Sequence, residues 1–135
     1  MAVDTKFIGR EYKPVTYVVG QEKIKEYALA VGDLNPLYID HGIAPPMFVV
    51  VFARETMVNL FSDTALNLNM LRLLHGEQEF NFHKIVKAND TITTHAKIKN
   101  VFQKNNNDFV ELETKSFNQN KELVTDGIWT FVIRG

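Results

Sequence analysis

Apolar and polar residues alternate through much of the second half of the chain, which is typical of β-strands with one buried face. Four segments carry an alternating or continuous apolar pattern: 80–82, 92–98, 110–114 and 128–133. Turn-forming clusters rich in asparagine lie between them, at 88–90, 105–108 and 118–121. The pattern predicts four strands that are joined by short polar turns into an antiparallel meander.

The first half of the chain has a helical spacing instead. Apolar side chains recur at i, i+3, i+4 and i+7, at Ile24, Tyr27, Ala28 and Val31. Gly20 can serve as an N-cap, Glu22 suits the positive end of a helix, and Gly32 stands where helices commonly stop in a left-handed conformation. A helix between these two glycines is therefore predicted, after a short strand at 15–19.

A second helix is predicted over 47–61, after an irregular stretch at 33–46 that contains Pro45 and Pro46. The first half of this helix is apolar on every side, so it is expected to be buried on every side. Its β-branched residues leave a strand as the alternative. Because a sheet with one apolar face needs a cover, the two helices must supply it. The expected class is α+β, with a curved antiparallel sheet around a central helix.

Composition narrows the class of protein further. A length of 135 residues fits a single domain spanning 1–135, and 15 basic against 16 acidic residues leave a net charge of -1. Without a lysine or arginine cluster, neither nucleic acid nor a membrane surface is an expected partner. The chain has no cysteine, no apolar leader and no run of about 20 apolar residues, so a cytoplasmic protein is expected. No phosphate-binding loop or metal-ligand spacing is present, so neither cofactor nor metal is predicted.

Candidate chemistry begins directly after the first helix. Asp33 and Asn35 place a carboxylate and an amide at the mouth of a turn, where they can face a ligand. The same two residues are also ordinary turn formers, since their side chains bond nearby backbone N–H groups. Tyr38 lies five residues after the aspartate, where a histidine would complete an acid/base pair. His41 is the histidine nearest to Asp33, and an exposed loop position is the favoured interpretation for it.

The remaining histidines fall in the strand-rich half. His75 precedes Gly76, where a missing side chain lets another group approach closely. A role beside a ligand and a structural cross-strand hydrogen bond are about equally favoured for His75. His83 and His95 alternate with core positions and are expected to face outward.

Four motifs in order carry a family resemblance. They are Gly32-Asp33-x-Asn35-Pro36, then IAPPMF at 43–48, ALNL at 65–68 and LLHGEQ at 73–78. Together they resemble the hot-dog-fold MaoC-like dehydratases and (R)-specific enoyl-CoA hydratases. They look most like the non-catalytic partner subunits of bacterial (3R)-hydroxyacyl-ACP dehydratases and the substrate-holding halves of two-hot-dog hydratases. The resemblance implies a single hot-dog fold across nearly the whole chain.

The resemblance also implies a site. The family's catalytic half carries Asp-x-Asn-Pro-x-His, in which the aspartate and histidine hold the water that is added to or removed from the thioester. Here Asp33 and Asn35 are present, but Tyr38 replaces the histidine, and tyrosine is a poor base at neutral pH. Carried over by motif, the candidate catalytic residues are Asp33, Asn35 and Tyr38. The candidate substrate-binding residues are Pro46, Met47, Phe48, Phe52, His75 and Gly76.

The function expected from the resemblance is that of a lyase subunit acting on acyl-CoA or acyl-ACP. A heterodimer would borrow the Asp/His pair from a histidine-bearing hot-dog partner. A self-sufficient homodimer using Asp33 with Tyr38 or His41 is the first alternative. A non-catalytic thioester-binding module, or a thioesterase on the same fold, is the second.

Overall fold

A computed structural model describes residues 3–135 as one antiparallel sheet with helices on its concave side. The strands are β1 (Glu11–Val18), β2 (Leu73–Phe82), β3 (Thr91–Lys104), β4 (Asn107–Phe117) and β5 (Leu123–Ile133). The helices are α1 (Gln21–Ala30), α2 (Pro36–Ile39), α3 (Val49–Phe52) and α4 (Arg54–Phe61), with 3-10 turns at Thr5–Phe7 and Pro46–Phe48. None of the helices in residues 3–135 is long and apolar enough to cross a membrane.

The strand order is β1-β3-β4-β5-β2, and this corrects the predicted four-strand meander. Only β3, β4 and β5 follow one another in space, whereas β2 pairs with β5 at the far edge. In this register Phe80 lies opposite Gly127, and a Cβ on Gly127 would stand 2.6 Å from the Phe80 ring. The ring therefore fits only because residue 127 has no side chain. Local alternation cannot reveal such a long-range pairing.

The structure confirms the predicted N-cap and the predicted C-terminal end of helix α1. Gly20 is the N-cap in an extended conformation, and Gly32 adopts a positive φ of 76° just beyond the end. Ile24 and Ala28 are fully buried, as their spacing predicts. The expectation for Val31 is wrong, because it lies past the last helical turn and is 57% exposed.

The segment predicted as the second helix is helical but broken. A 3-10 turn leads into α3, and Ala53 separates α3 from α4. The Thr56 hydroxyl donates a 2.6 Å hydrogen bond to the Ala53 carbonyl, a contact that commonly bends helices. Phe48 and Leu60 are completely buried beneath the sheet. Burial on every side is wrong for Met47, which is 45% exposed at the outer side of the first turn.

A polar cluster ties the end of α4 to the start of β1. Arg10 Nε and Nη2 donate to the two carboxylate oxygens of Asp63 at 2.6 and 3.1 Å, and the Tyr12 hydroxyl donates to the same carboxylate at 2.6 Å. Burial alone would raise the pKa of this carboxyl, but hydrogen bonds from Arg10 and Tyr12 outweigh it and hold the pKa below its usual value. The pKa of Tyr12 is raised by burial and by the hydrogen bond to Asp63.

We expect Asp63→Asn to lower the free energy of unfolding by about 2 kcal/mol at pH 7, because charge-assisted hydrogen bonds weaken. A carboxyl whose folded pKa is depressed stabilises the fold above its unfolded pKa, and this stabilisation disappears as pH falls below about 4. Thermal melts should therefore show the gap between wild type and variant shrinking from pH 6 to pH 3.

Glu55→Gln is the matched control, since Glu55 makes only an exposed 3.0 Å ion pair with Arg54. Its effect should stay within about 0.5 kcal/mol. A gap between wild type and Asp63→Asn that does not change with pH would contradict the role of this cluster.

Candidate functional site

The Asp33 loop is a self-bonded turn. Asp33 Oδ1 accepts the Asn35 backbone N–H at 3.1 Å, and Asn35 Oδ1 accepts the Leu37 N–H at 3.0 Å. Asn35 thereby caps α2, whose first residue is Pro36. The stretch predicted as irregular therefore contains one helical turn. Both side chains remain exposed at the surface, so their turn-forming role leaves them accessible to a ligand.

Tyr38 lies in the middle of this helical turn. Its side chain is half-buried and packs against the hydrophobic core. His41 follows the end of α2 and is exposed, as expected for a loop histidine. The candidate catalytic residues Asp33, Asn35 and Tyr38 are thus close together in one loop and helical turn, and no histidine of that loop is packed into it.

The chain after α2 joins a segment that is distant in sequence. The Ala44 N–H donates to the Val86 carbonyl and the Ala88 N–H donates to the Gly42 carbonyl, both at 2.8 Å. These bonds hold 42–44 against 86–88 and bring the start of the central helix beside the end of β2.

A mainly apolar cavity of about 240 Å³ lies at this junction. Its lining residues are Ala44, Pro45, Pro46, Val49, Phe52, Phe82, His83, Lys84, Ile85, Val86 and Thr125. Pro46 and Phe52 are among the candidate substrate-binding residues. Phe48 is instead in the core, where its ring meets the Tyr27 ring edge-on at 5.7 Å. Met47 is exposed beside these residues and does not line the cavity.

His75 and Gly76 lie at the opposite end of β2 from this cavity. Phe82 lies seven positions after His75, which is about 23 Å along an extended strand. The His75 ring stacks on Trp129 with a centroid distance of 5.8 Å, and its Nε2 is 3.0 Å from Gln78 Oε1. The structure therefore places the candidate substrate-binding residues in two separate regions.

Most of the cavity residues outside the candidate set come from the second half of the chain. Phe82, Ile85 and Thr125 were not singled out, because nothing local signals that 86–88 pairs with 42–44. His83 and His95 are exposed, as predicted. His83 Nε2 is 2.6 Å from Asp126 Oδ2. The hydrogen bond from Asn81 and, to a smaller extent, the one with His83 lower the pKa of Asp126.

Comparison with known proteins shows which class of protein this chain resembles. The sequence model of the FAS1-like dehydratase domain region matches residues 6–127. A UPF0336 protein of Streptomyces griseus is 36% identical, over 99% of this chain and 97% of the relative. One chain of the C-terminally truncated HadBC (3R-hydroxyacyl-ACP dehydratase) complex of Mycobacterium tuberculosis is 25% identical, with a TM-score of 0.81 over 98% of this chain and 99% of that chain.

A further solved structure shows the same fold. The (R)-hydratase PhaJ1 of Pseudomonas aeruginosa is 20% identical and has a TM-score of 0.73, over 94% of this chain and 81% of that chain. The sheet wrapped around a central helix is therefore the hot-dog fold of MaoC-like dehydratases and (R)-hydratases, as the motifs predict. The chain belongs to the FAS1-like dehydratase family.

No group of three histidine, aspartate or glutamate side chains within residues 3–135 is arranged to hold a metal ion.

Gly76→Ala tests the packing around the candidate residue Gly76. An added Cβ would stand 2.7 Å from Val132 Cγ2, so we expect the variant to lose about 1–3 kcal/mol of stability. Adding Val132→Ala removes that methyl group, and denaturant unfolding should show a combined loss smaller than the sum of the two single losses.

Gly127→Ala is the control, because its Cβ would meet the Glu79 carbonyl oxygen at 2.6 Å, and trimming Val132 cannot relieve a backbone clash. Additive losses for Gly76→Ala and Val132→Ala would contradict the packing explanation.

Proposed function

We propose that this chain is the thioester-binding subunit of an (R)-specific enoyl-thioester hydratase, or of the corresponding (3R)-hydroxyacyl dehydratase. It would act as a single hot-dog unit over 1–135, and a second hot-dog chain would supply the complete Asp/His pair. The observation that carries the proposal is the Asp33 loop, in which the aspartate, the asparagine and the proline are retained and Tyr38 takes the place of the histidine.

The chemistry explains why this replacement matters. In hydration, the water oxygen bonds to C3, one water proton is taken by a base, and an acid delivers a proton to C2. Each step needs its own positioned group. Backbone N–H groups facing the thioester carbonyl would stabilise the enolate-like charge. Tyr38 is half-buried against the core and, as a phenol, is a poor base near pH 7.

The cavity supports the binding role. It is lined largely by aliphatic and aromatic side chains and opens beside the Pro45-Pro46 turn. Its volume of about 240 Å³ lies below the roughly 300–1,000 Å³ typical of pockets for drug-sized ligands, which suits a short acyl segment. We assign the acyl chain of the thioester to this cavity, with Pro46 and Phe52 as contacts.

An open sheet edge supports the expectation of a partner. Edge strand β1 is guarded by Lys13 and Pro14 at a bulge, a common protection against further pairing. Edge strand β2 has neither proline nor lysine along its ten residues. Exposed apolar side chains lie along it and at both its ends: Met70, Leu71, Leu74, Phe82 and Ile85. The similar Mycobacterium tuberculosis chain is itself part of a HadBC complex. We therefore assign β2 to the partner interface.

Crotonyl-CoA hydration tests the proposal. The purified chain alone should hydrate crotonyl-CoA at least about 100-fold more slowly than its equimolar mixture with a hot-dog chain that carries Asp-x-Asn-Pro-x-His, because the base is missing. Loss of the enoyl absorbance and appearance of the 3-hydroxyacyl product are the two readouts.

Full activity of the chain alone would contradict the subunit role and favour a self-sufficient homodimer. Release of free CoA instead of a hydrated product would identify a thioesterase. Acyl-CoA binding without either product, with or without the second chain, would leave a binding module and overturn the proposed reaction.

A further inference from the structure

We propose that the exposed edge of β2 rejects a second copy of this chain and accepts a hot-dog strand that carries lysine or arginine on its convex face. The inference rests on the proposed partner interface and names the chemistry of the partner. It follows from the direction in which the β2 side chains point and from the charges that they carry.

The register of β2 with β5 assigns the two faces of the strand. Gln78 is opposite Trp129 and Phe80 opposite Gly127, so both belong to the concave face that covers the core. Glu77 is opposite Thr130 and Glu79 opposite Ile128, which places both glutamates on the convex face. Both glutamates are exposed.

A symmetric antiparallel pair would bring these carboxylates together. Pairing centred on Gln78 puts Glu77 of each copy directly opposite Glu79 of the other. Moving the centre one residue either way puts Glu77 opposite Glu77, or Glu79 opposite Glu79. The registers centred on residues 77 and 78 give the ten-residue strand its largest overlap. Like charges directly opposite each other destabilise a strand pair, so the charge pattern opposes self-pairing.

Two further glutamates add negative charge to the same convex face. Glu111 and Glu113 on β4 are opposite the same two β5 residues, Thr130 and Ile128, from the other side. Glu77, Glu79 and Glu111 therefore line a shallow convex depression together with Gln78, Thr130 and Ile128, and Glu113 lies opposite Ile128 on β4. Glu113 also has a lysine 3.7 Å away on β3, on the side remote from the edge.

The open edge of β2 itself favours pairing with another strand. Because β2 is the last strand of the sheet, one row of its backbone groups has no strand partner within residues 3–135. Leu71, just before the strand, is 91% exposed. Backbone hydrogen bonds and apolar contact would thus attract any strand, while the glutamates select a cationic one. The expected occupant is a second, different hot-dog chain with Lys or Arg opposite Glu77 and Glu79.

A charge swap tests this selection without substrate. Wild type and Glu77→Lys/Glu79→Lys should each self-associate weakly in sedimentation at low salt. Their equimolar mixture should form a 1:1 complex at least about tenfold tighter than either self-association, since two repelling pairs become two attracting pairs. Amide hydrogen exchange should slow at 73–82 in that complex.

Two controls isolate the cause. Glu77→Gln/Glu79→Gln should self-associate roughly three- to thirtyfold more tightly than wild type, because the repulsion is gone. Glu26→Lys/Glu55→Lys carries the same charge change on exposed helix positions and should form no tighter complex with wild type. Added salt should strengthen wild-type self-association and weaken the mixed complex.

The inference is overturned if wild type self-associates through 73–82 as tightly as the mixture does. It is equally overturned if the mixture forms no complex or if the glutamine variant behaves like wild type. None of these outcomes depends on hydration activity, so the failure of this inference is distinguishable from the failure of the proposed function.

Discussion

The pairing of β2 with β5 at the sheet edge positions everything else in this molecule. Phe80 packs over Gly127, and the absence of a Cβ at residue 127 lets the ring approach the strand. With β2 fixed there, the chain must return across the helices to reach β3 at the other side. That return segment pairs with 42–44 and closes the apolar cavity beside the central helix. The same pairing leaves β2 as an exposed edge.

The amino-acid sequence predicts the elements better than their arrangement. Spacing and glycine positions predict α1 because helix periodicity and capping are local properties. The position of β2 beside β5 was missed, because alternation reports which face of a strand is buried and carries no information about its neighbour. The break at Ala53 is not predicted for a related reason, since Thr56, whose hydroxyl donates to the Ala53 carbonyl, stands in an otherwise ordinary helical pattern.

The candidate site also has one part that the sequence predicts and another that only the structure reveals. Motif residues in one loop, Asp33 to Tyr38, could be identified because they are contiguous. The cavity could not, because half of its wall comes from 82–86 and from Thr125. Phe48 was a candidate contact from its motif, and the structure places it in the core instead. His75 and Gly76 share a motif with Gln78 and lie in a different region from the cavity, close to the exposed edge.

These features combine into one physical account. The loop keeps a carboxylate in a turn that is stabilised by its own backbone bonds, and a phenol that packs against the core replaces the expected base. The cavity beside the Pro45-Pro46 turn offers space for an apolar chain. In the proposed assembly, the acidic, open edge strand favours pairing with a different chain over pairing with a copy of itself.

The most direct measurement is crotonyl-CoA hydration by the mixed complex after Asp→Asn replacement on one chain at a time. If the partner supplies the catalytic pair, Asp33→Asn in this chain changes kcat by less than about threefold, while the same change in the partner's motif lowers kcat by at least about 100-fold. Loss of turnover from Asp33→Asn alone, with the partner's aspartate dispensable, would contradict the account.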